Sequence, residues 1–252
     1  MELLPPGNAT TPMKSEFNIP AGILALGLVL AALVGSYTFY TVRSFDNVLS
    51  VTGSAKERVT SDSVKWNIHV TRHVTEFTVQ TGYAQLARDL TTVKAFLADH
   101  DIPEDVITIS PVAVEEIFKY GTDTSGPREF TLRQMITINA TDVEAISALS
   151  KDITVLVNQG VFISANYVEY YYNKLSELRI ALLADAIADA KARAQEIAES
   201  SGQSVGRLTA ASSGVVQVLA PNSVEISDYG QYDTSSIEKD VMVTVRASFR
   251  VR

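Results

Sequence analysis

The chain contains one long apolar run near its start. No charged residue occurs between Glu16 and Arg43, and residues 21–40 are mostly Leu, Ala, Val, Gly and Ile before they end in aromatic residues. At roughly 1.5 Å per residue, a helix over this gap crosses the ~30 Å hydrocarbon layer of a bilayer with some tilt. Since no second run of this kind follows, the pattern predicts a tail over 1–18, a transmembrane helix over 19–42 and a soluble body over 43–252.

The apolar run is more typical of a retained anchor than of a cleaved signal peptide. A signal peptide has an apolar core of about 7–15 residues and an Ala-x-Ala-like exit. The core here is longer, and it ends in Tyr37, Phe39 and Tyr40, which suit a membrane–water interface. Val34-Gly35-Ser36 is a poor cleavage site. The flanking charges leave the orientation open, because basic residues lie on both sides of the run.

Small residues form a stripe along one side of the predicted membrane helix. Gly27, Ala31 and Gly35 are spaced four apart, so they lie on one helix face. Such stripes let helix backbones approach closely in lipid. Two interpretations stay open: the stripe serves helix association, or it reflects the high frequency of Gly and Ala in membrane helices.

Alternation of apolar and polar positions predicts β-strands in the body. In the clearest case, residues 64–74, Val64, Trp66 and Ile68 fall on one face and polar residues on the other. Trp66 is therefore expected to point into a core. Further extended segments are predicted from their β-branched and aromatic content over 48–56, 106–118, 130–140, 161–172, 205–219 and 237–251.

Three segments of the body follow the helical period instead. Residues 77–98 carry apolar side chains three and four apart, and a capping box of Thr141 and Glu144 opens a second helix. The longest predicted helix covers 174–201, with Asn173 as N-cap and Gly202 at the C′ position. Because strands outnumber helices and come mainly in sequential pairs, we predict an α+β body of mostly antiparallel sheets packed against three helices.

The composition argues against two kinds of partner. The formal net charge is −8 at pH 7, so no basic groove is expected to neutralise the phosphates of a nucleic acid. The same acidity argues against electrostatic docking on anionic lipid, which leaves membrane contact to residues 19–42. The chain has no cysteine, which excludes disulfides, a thiolate nucleophile and cysteine metal sites.

The sequence carries no catalytic signature. On one face of a strand, His69 and His73 would lie ~13 Å apart, too far to share a metal ion. No phosphate-binding Gly-x-x-x-x-Gly-Lys loop occurs. The one Gly-x-Ser-x-Gly match, at residues 202–206, follows a predicted helix instead of joining a strand to a helix, so no nucleophile elbow is predicted. Glu225, Asp228 and Asp233 lack the spacing of a calcium loop, so a solvated acidic loop is favoured over a cation site. We therefore predict no enzymatic activity, no cofactor and no metal.

Three segments of the body resemble a known family. They are residues 51–55 (Val-Thr-Gly-Ser-Ala) with Ser61-Asp62, the alanine-rich stretch 179–202, and the tail formed by 206–214 and 239–251. Together they resemble the SIMPL-domain family, long catalogued as a domain of unknown function, which includes a bacterial periplasmic immunogenic protein. Trp66 and residues 170–175 suggest a membrane-anchored branch of it. The likeness spans nearly all of residues 48–252.

The resemblance implies a protein of the cytoplasmic membrane whose body lies on the periplasmic side and assembles into ring-like or larger closed oligomers. It brings no catalytic residues. We expect a scaffold whose partner is a further copy of itself, with Gly27, Ala31, Gly35, Tyr229 and Tyr232 at the interface between copies. The alternative is a binding module whose 220–236 loop recruits an envelope partner or a small ligand. The tyrosines at 170–172 are also able to cover a protein interface, since aromatic residues are enriched there.

Overall fold

The computed structural model describes residues 19–43, 47–118, 126–223 and 227–252, so the predicted tail over 1–18 lies outside the described residues. An N-terminal helix precedes a body of mixed helices and strands. The helices are α1 Ile19–Arg43, α2 Val79–Asp99, α3 Val143–Leu149, α4 Thr154–Asn158 and α5 Leu175–Ser200, with a 3₁₀ turn at Glu104–Val106. The strands are β1 Val48–Thr60, β2 Ser63–Thr75, β3 Ile107–Ile109, β4 Ala113–Glu116, β5 Glu129–Ala140, β6 Ile163–Tyr171, β7 Val205–Ser213, β8 Gln217–Leu219 and β9 Glu238–Val251.

The strands form two antiparallel sheets, which confirms the predicted α+β class. In the first sheet β9 lies between β1 and β7, and β8 also pairs with β9. The order in the second sheet is β3, β5, β2, β6, and β4 also pairs with β5. The expectation of sequential pairs fails at β1 and β2, which follow one another in the chain but belong to different sheets.

The first and last strands of the body pair along their whole length, and α5 packs across them. β1 is in continuous register with β9 from Val48 to Thr60. Ala186 and Ala190 of α5 are fully buried against this pair. A Cβ atom on Gly53 would lie 2.7 Å from the Cβ of Ala190 and closer still to the helix backbone. Glycine at this position therefore permits the close approach of α5 to β1.

A polar contact fixes α5 along β1 at the same place. The Asp189 carboxylate accepts a hydrogen bond from the Ser54 backbone N–H at 2.8 Å and another from Arg193 Nε at 2.8 Å. These donors favour the ionised form and hold the pKa of Asp189 below its usual value. The helix is thus held by small-residue packing and by a charge-assisted contact one residue away.

The second sheet is centred on β2, which has a strand on each side. Trp66 is fully buried, as the alternation predicts, and its indole N–H donates to Asn166 Oδ1 at 2.5 Å. The core around it includes buried residues from α2, α3 and α4. Asn67 on the other face is buried as well and accepts a hydrogen bond from Thr137 Oγ1 at 2.9 Å. Asn67 is therefore satisfied by partners within the fold, whereas His73 on the same face is exposed.

The two ends of α5 give opposite outcomes for the predicted caps. Gly202 has a φ of +73°, and the N–H that follows it, on Gln203, donates to Ala198 O at 2.8 Å, so the predicted C-terminal cap is confirmed. The predicted N-cap is wrong. α5 begins at Leu175 without a side-chain cap, and the Asn173 N–H donates instead to Asp62 Oδ1 at 2.8 Å.

Two short helices replace the single helix predicted after residue 142, so four helices rather than three belong to the body in its described part. The predicted capping box is also wrong in detail. Asp142 caps α3, because its carboxylate accepts the Ala145 N–H at 3.0 Å, and Thr141 lies one residue earlier. Both helices still bury apolar side chains in the second core, at Ile146 and Leu156.

Two predicted strands are also divided. Residues 106–118 form β3 and β4, separated at Pro111, which has no N–H to give to a ladder. Residues 205–219 form β7 and β8, and Gly214 lies between them against Thr244 of β9. β3 and β4 both pair with β5, and β7 and β8 both pair with β9. Each division therefore leaves both pieces in the same sheet.

The substitution Gly53→Val tests the close approach of α5 to β1. We expect the free energy of unfolding to fall by about 1–3 kcal/mol, because the added methyl groups collide with the α5 backbone. Thr52→Val is the matched control, since Thr52 is exposed on the other face of the same strand; its effect should stay within about 0.5 kcal/mol. Urea unfolding followed by far-UV circular dichroism measures both, and equal stability of the two variants would contradict the packing described.

Candidate assembly surfaces

The first candidate surface is α1, which has no partner within the described body. Its segment Gly22–Thr41 has a mean hydropathy of 2.0 and is 0% buried. By length and composition it is able to span a membrane, and a signal sequence near an N-terminus meets the same two criteria. An apolar helix of this size needs either lipid or another apolar surface around it.

The small-residue stripe on α1 is open along its length. A Cβ atom placed on Gly27 or on Gly35 would meet nothing within 4 Å. With Ala31 between them, these residues form a shallow notch on one face of the helix, where a second backbone is able to approach. The geometry of the predicted interface on α1 is therefore available to a second helix.

The second candidate surface holds the two predicted tyrosines, and they lie in different surroundings. Tyr229 is 96% exposed beside Gly230, which has a φ of +84°. Tyr232 is docked on its own chain: its ring centroid lies 5.9 Å from that of Tyr171, and its hydroxyl oxygen accepts the Tyr172 N–H at 2.9 Å. Tyr229 is thus free for another molecule, whereas Tyr232 already takes part in the fold.

Residues 227–237, which we term the bridging segment, join the two sheets. Thr234 O accepts the N–H of Tyr170 in the second sheet at 2.8 Å. On the other side, Val218 in the first sheet donates to Gln231 O and accepts from the Asp233 N–H, both at 2.8 Å. Backbone hydrogen bonds in both directions therefore fix this part of the predicted 220–236 loop, while residues 224–226 lie outside the described residues.

A buried lysine of the first sheet, Lys239 in β9, forms hydrogen bonds with the bridging segment. The side chain of Lys239 is 0% exposed, and its ammonium donates to Asp233 O at 2.5 Å and to Ser236 O at 2.7 Å. Burial lowers the pKa of Lys239, and the nearby Asp233 carboxylate at 3.5 Å opposes that change. The cation remains tolerable in this position because oxygen atoms surround it.

The Asp233 carboxylate is used inside the bridging segment. It accepts hydrogen bonds from the backbone N–H groups of Ser235 at 3.2 Å and Ser236 at 3.1 Å, and from both serine hydroxyls. Burial alone would raise the pKa of Asp233, but these four donors outweigh it and hold the pKa below the usual 3.8. Of the predicted acidic loop, Asp228 is exposed and Glu225 lies outside the described residues.

A second carboxylate fixes the start of β9. Asp240 accepts hydrogen bonds from Arg58 Nε at 2.9 Å, from Lys56 Nζ at 3.1 Å and from the Asn222 N–H at 3.2 Å. The hydrogen bond from Arg58 is the main reason why the pKa of Asp240 lies below 3.8. Sequence reasoning missed this network and the buried Lys239. The spacing of Asp233, Ser235 and Ser236, typical of an Asx turn, was the one local signal available.

The two strand histidines stay apart, as expected. His69 lies beside Tyr167, with ring centroids 5.7 Å apart, and burial lowers the pKa of His69, with a smaller contribution from Arg133. His73 Nδ1 is 3.1 Å from Thr131 Oγ1. Among the residues that the structure describes, no group of three His, Asp or Glu side chains is placed to hold a metal ion.

The two candidate surfaces lie at opposite ends of the first sheet. α1 leads into β1, whose first residues pair with Phe249 and Arg250 near the end of β9. The bridging segment lies at the start of β9, beside Lys239. Because a strand rises ~3.3 Å per residue, the two ends of β9 are about 40 Å apart. The fold therefore does not bring the predicted interface residues of α1 together with the two tyrosines.

Comparison with known proteins adds one finding. A family model described as SIMPL, a protein of unknown function (DUF541), matches residues 49–251 of the chain. The match covers both sheets and begins after α1. No curated protein matches the chain.

The double substitution Asp233→Asn with Asp240→Asn tests the two carboxylates through pH. Because folding lowers the pKa of both, they stabilise the protein fully above pH 3.8, and this contribution is lost as the pH falls. We expect the urea midpoint of the variant to lie below that of the native protein between about pH 5 and 8, and the difference between the two curves to begin to shrink only as the pH falls below about 4. Fluorescence of Trp66 reports the unfolding.

The control for this experiment removes two exposed carboxylates, with Asp185→Asn and Asp228→Asn. Its curve should run parallel to that of the native protein. Parallel curves for the Asp233 and Asp240 variant as well would show that neither carboxylate is specifically stabilised by folding.

Proposed function

This chain belongs to the SIMPL family, and from that premise we propose that it is a single-pass anchored protein of the cell envelope that assembles with copies of itself into a ring or cage. The observation that carries the proposal is α1, an apolar helix that the body leaves 0% buried over Gly22–Thr41. Water is an unfavourable surrounding for such a surface, and lipid together with neighbouring helices would cover it.

The proposed location is the cytoplasmic membrane, with the body on its outer, periplasmic side. The family likeness supports this side, because it implies a body outside the cytoplasmic membrane. The acidic character of the chain, with a net charge of −8, agrees with a body that does not bind nucleic acid in the cytoplasm. Localisation of a full-length fusion by protease access from the periplasm would test the orientation.

The proposed assembly places copies side by side in the membrane plane. Anchoring confines them to a thin layer and so raises their effective concentration. Contacts at the α1 notch and at Tyr229 lie at opposite ends of the first sheet, which suits protomers that stand parallel and touch at both ends. If the two contacts use different patches on neighbouring copies, the interface is heterologous. Such an interface gives a ring when the rotation from each copy to the next leads back to the first copy.

We propose a structural rather than catalytic role for the body. The buried charged side chains of its described part have internal partners: Lys239 is paired with the bridging segment at Asp233, Asp240 lies beside Arg58, and Asp89 accepts two hydrogen bonds of 2.6 Å from Arg72. Since each of these charges already has a partner within the fold, they support a structural role for the body. The proposed function requires no cofactor.

Tyr229 supports the alternative function, a binding module that recruits an envelope partner. An aromatic side chain that is 96% exposed at the tip of a turn is suited to enter a pocket of another molecule. Deleting the whole 220–236 loop would also remove the bridge between the sheets, so the single substitution Tyr229→Ala is the sharper test. If it abolishes recruitment of a partner while the oligomer persists, the binding module is favoured.

The pair Gly27→Leu and Gly35→Leu tests whether the anchors touch in the assembly. We expect association to weaken by roughly tenfold or more, because two leucines fill the notch that a second helix would occupy. Light scattering of the detergent-solubilised protein at micromolar concentration measures the mass. A monomeric native protein under these conditions would contradict self-assembly altogether.

The matched control adds the same bulk to α1 away from the stripe, with Ala25→Leu and Ala32→Leu. This variant should keep the native oligomer. An oligomer unchanged in the glycine variant as well would show that the soluble bodies suffice for assembly and that the stripe is not part of the interface.

A further inference from the structure

Most arginines of the first sheet lie in the half of it that is nearer to α1, whereas Arg58 lies at the opposite end beside Asp240. The strand segments 48–54, 205–213 and 244–252 contain no Asp or Glu, and they carry Arg207, Arg246, Arg250 and Arg252. Since the whole chain has a net charge of −8, the remainder of the protein is correspondingly more acidic. The strands at this end therefore carry a net positive charge, while the acidic Asp189, Glu196 and Glu199 belong to α5 on the other face of the sheet.

This arginine-bearing end is the end at which the chain leaves α1. Arg43 ends α1 and β1 begins at Val48. Each residue spans at most ~3.8 Å, so Asn47 lies within about 15 Å of Arg43. Asn47 O accepts the Val251 N–H at 3.0 Å, which holds the end of β9 at the same place. The short connection from Arg43 to Asn47 therefore keeps the arginines within reach of the membrane surface.

Apolar side chains accompany the arginines there. Val48, Arg207, Leu208, Thr209 and Arg250 line a shallow depression of about 420 Å³. Val48 is 40% exposed and Leu208 is 42% exposed. Arginines beside exposed aliphatic residues form the combination that suits the boundary between phosphate headgroups and acyl chains.

Arg246 extends the positive surface along the face of the sheet that α5 leaves open. Its neighbours in β9, Val245 and Ala247, are buried beneath α5, so Arg246 lies on the opposite face. It is exposed there, opposite Thr52 of β1 and Ser212 of β7. Small hydroxyl side chains on both sides leave its guanidinium accessible to an anion.

We propose that this end of the first sheet docks on the anionic phospholipid headgroups of the bilayer that holds α1. Charge complementarity and the short connection to α1 favour phospholipid headgroups as the occupant, and the inference rests on the proposed anchor. The overall acidity of the chain predicts no electrostatic contact with lipid, but the local distribution of charge reverses that expectation at this end. The acidic remainder is repelled by the same surface, so the body takes a fixed orientation on the membrane.

Energy transfer between the body and labelled lipid tests the docking in the full chain. Because the chain has no cysteine, Ser200→Cys gives a single site for a fluorophore at the exposed end of α5. The labelled protein is placed in nanodiscs that carry an acceptor on their headgroups, made either of phosphatidylcholine alone or with one third phosphatidylglycerol. We expect higher transfer in the anionic discs, and loss of the difference at roughly 1 M salt.

Arg207→Gln with Arg246→Gln is the test variant, and Lys151→Gln with Lys174→Gln is the control, since both lysines are exposed and far from this end along the chain. The ratio of docked to free body should fall about fivefold for each arginine removed and stay unchanged in the control. Equal transfer in neutral and anionic discs, or equal transfer in both variants, would overturn the proposal.

Two further readouts distinguish a failure of docking from misfolding of the arginine variant and from loss of the anchor. The salt response of the native protein tests the docking even if the arginine variant fails to fold, and a native protein whose transfer in anionic discs does not change with salt would overturn it. Co-elution with the disc reports on the anchor separately. A chain that does not co-elute would overturn the proposed anchor, and the docking with it.

Discussion

The pairing of β1 with β9 beneath the alanine face of α5 is the constraint on which the rest of the body depends. It joins the first strand after α1 to the last strand of the chain, and so places both at one end of the first sheet. The contact is possible because Gly53 carries no side chain and Ala186 and Ala190 carry small ones. A larger residue would separate helix and sheet and open a gap in a close-packed core.

The second sheet is coupled to the first through polar contacts rather than through a shared apolar core. The bridging segment accepts a backbone hydrogen bond from Tyr170 on one side, and on the other side it exchanges two backbone hydrogen bonds with Val218. Lys239 lies buried beneath it with carbonyl oxygens around its ammonium. A buried cation of this kind contributes little net stability, but a misplaced segment would leave it unpaired, so it favours a single arrangement of the two sheets.

Local patterns predicted the local parts of this structure. The uncharged run gave α1, strict alternation gave β2 with Trp66 inside, and a glycine after an apolar period gave the end of α5 at Gly202. Strand partners have no such local signature, so the pairing of β1 with β9 was not predictable from period or turn residues. The N-cap predicted at Asn173 failed because α5 begins one residue later than that cap requires: Lys174 holds the N-cap position, and no side chain caps the helix.

The candidate site was predicted least well, and for physical reasons. A tyrosine in a polar loop looks the same in sequence whether it faces solvent, as Tyr229 does, or packs on its own chain, as Tyr232 does. Net charge likewise averages over the whole chain and hides the arginines that lie near α1. Such features depend on which segments the fold brings together, and only the tertiary structure supplies that information.

The proposed assembly depends on a retained helix that holds several copies of the chain together in one membrane. Native mass spectrometry of the full-length protein, released from the membrane with its surrounding lipid, tests both parts in one spectrum. The account predicts protomers that still contain residues 19–42 and a complex whose mass is a multiple of that protomer. A protomer that lacks these residues, or a single copy as the only species, would contradict it.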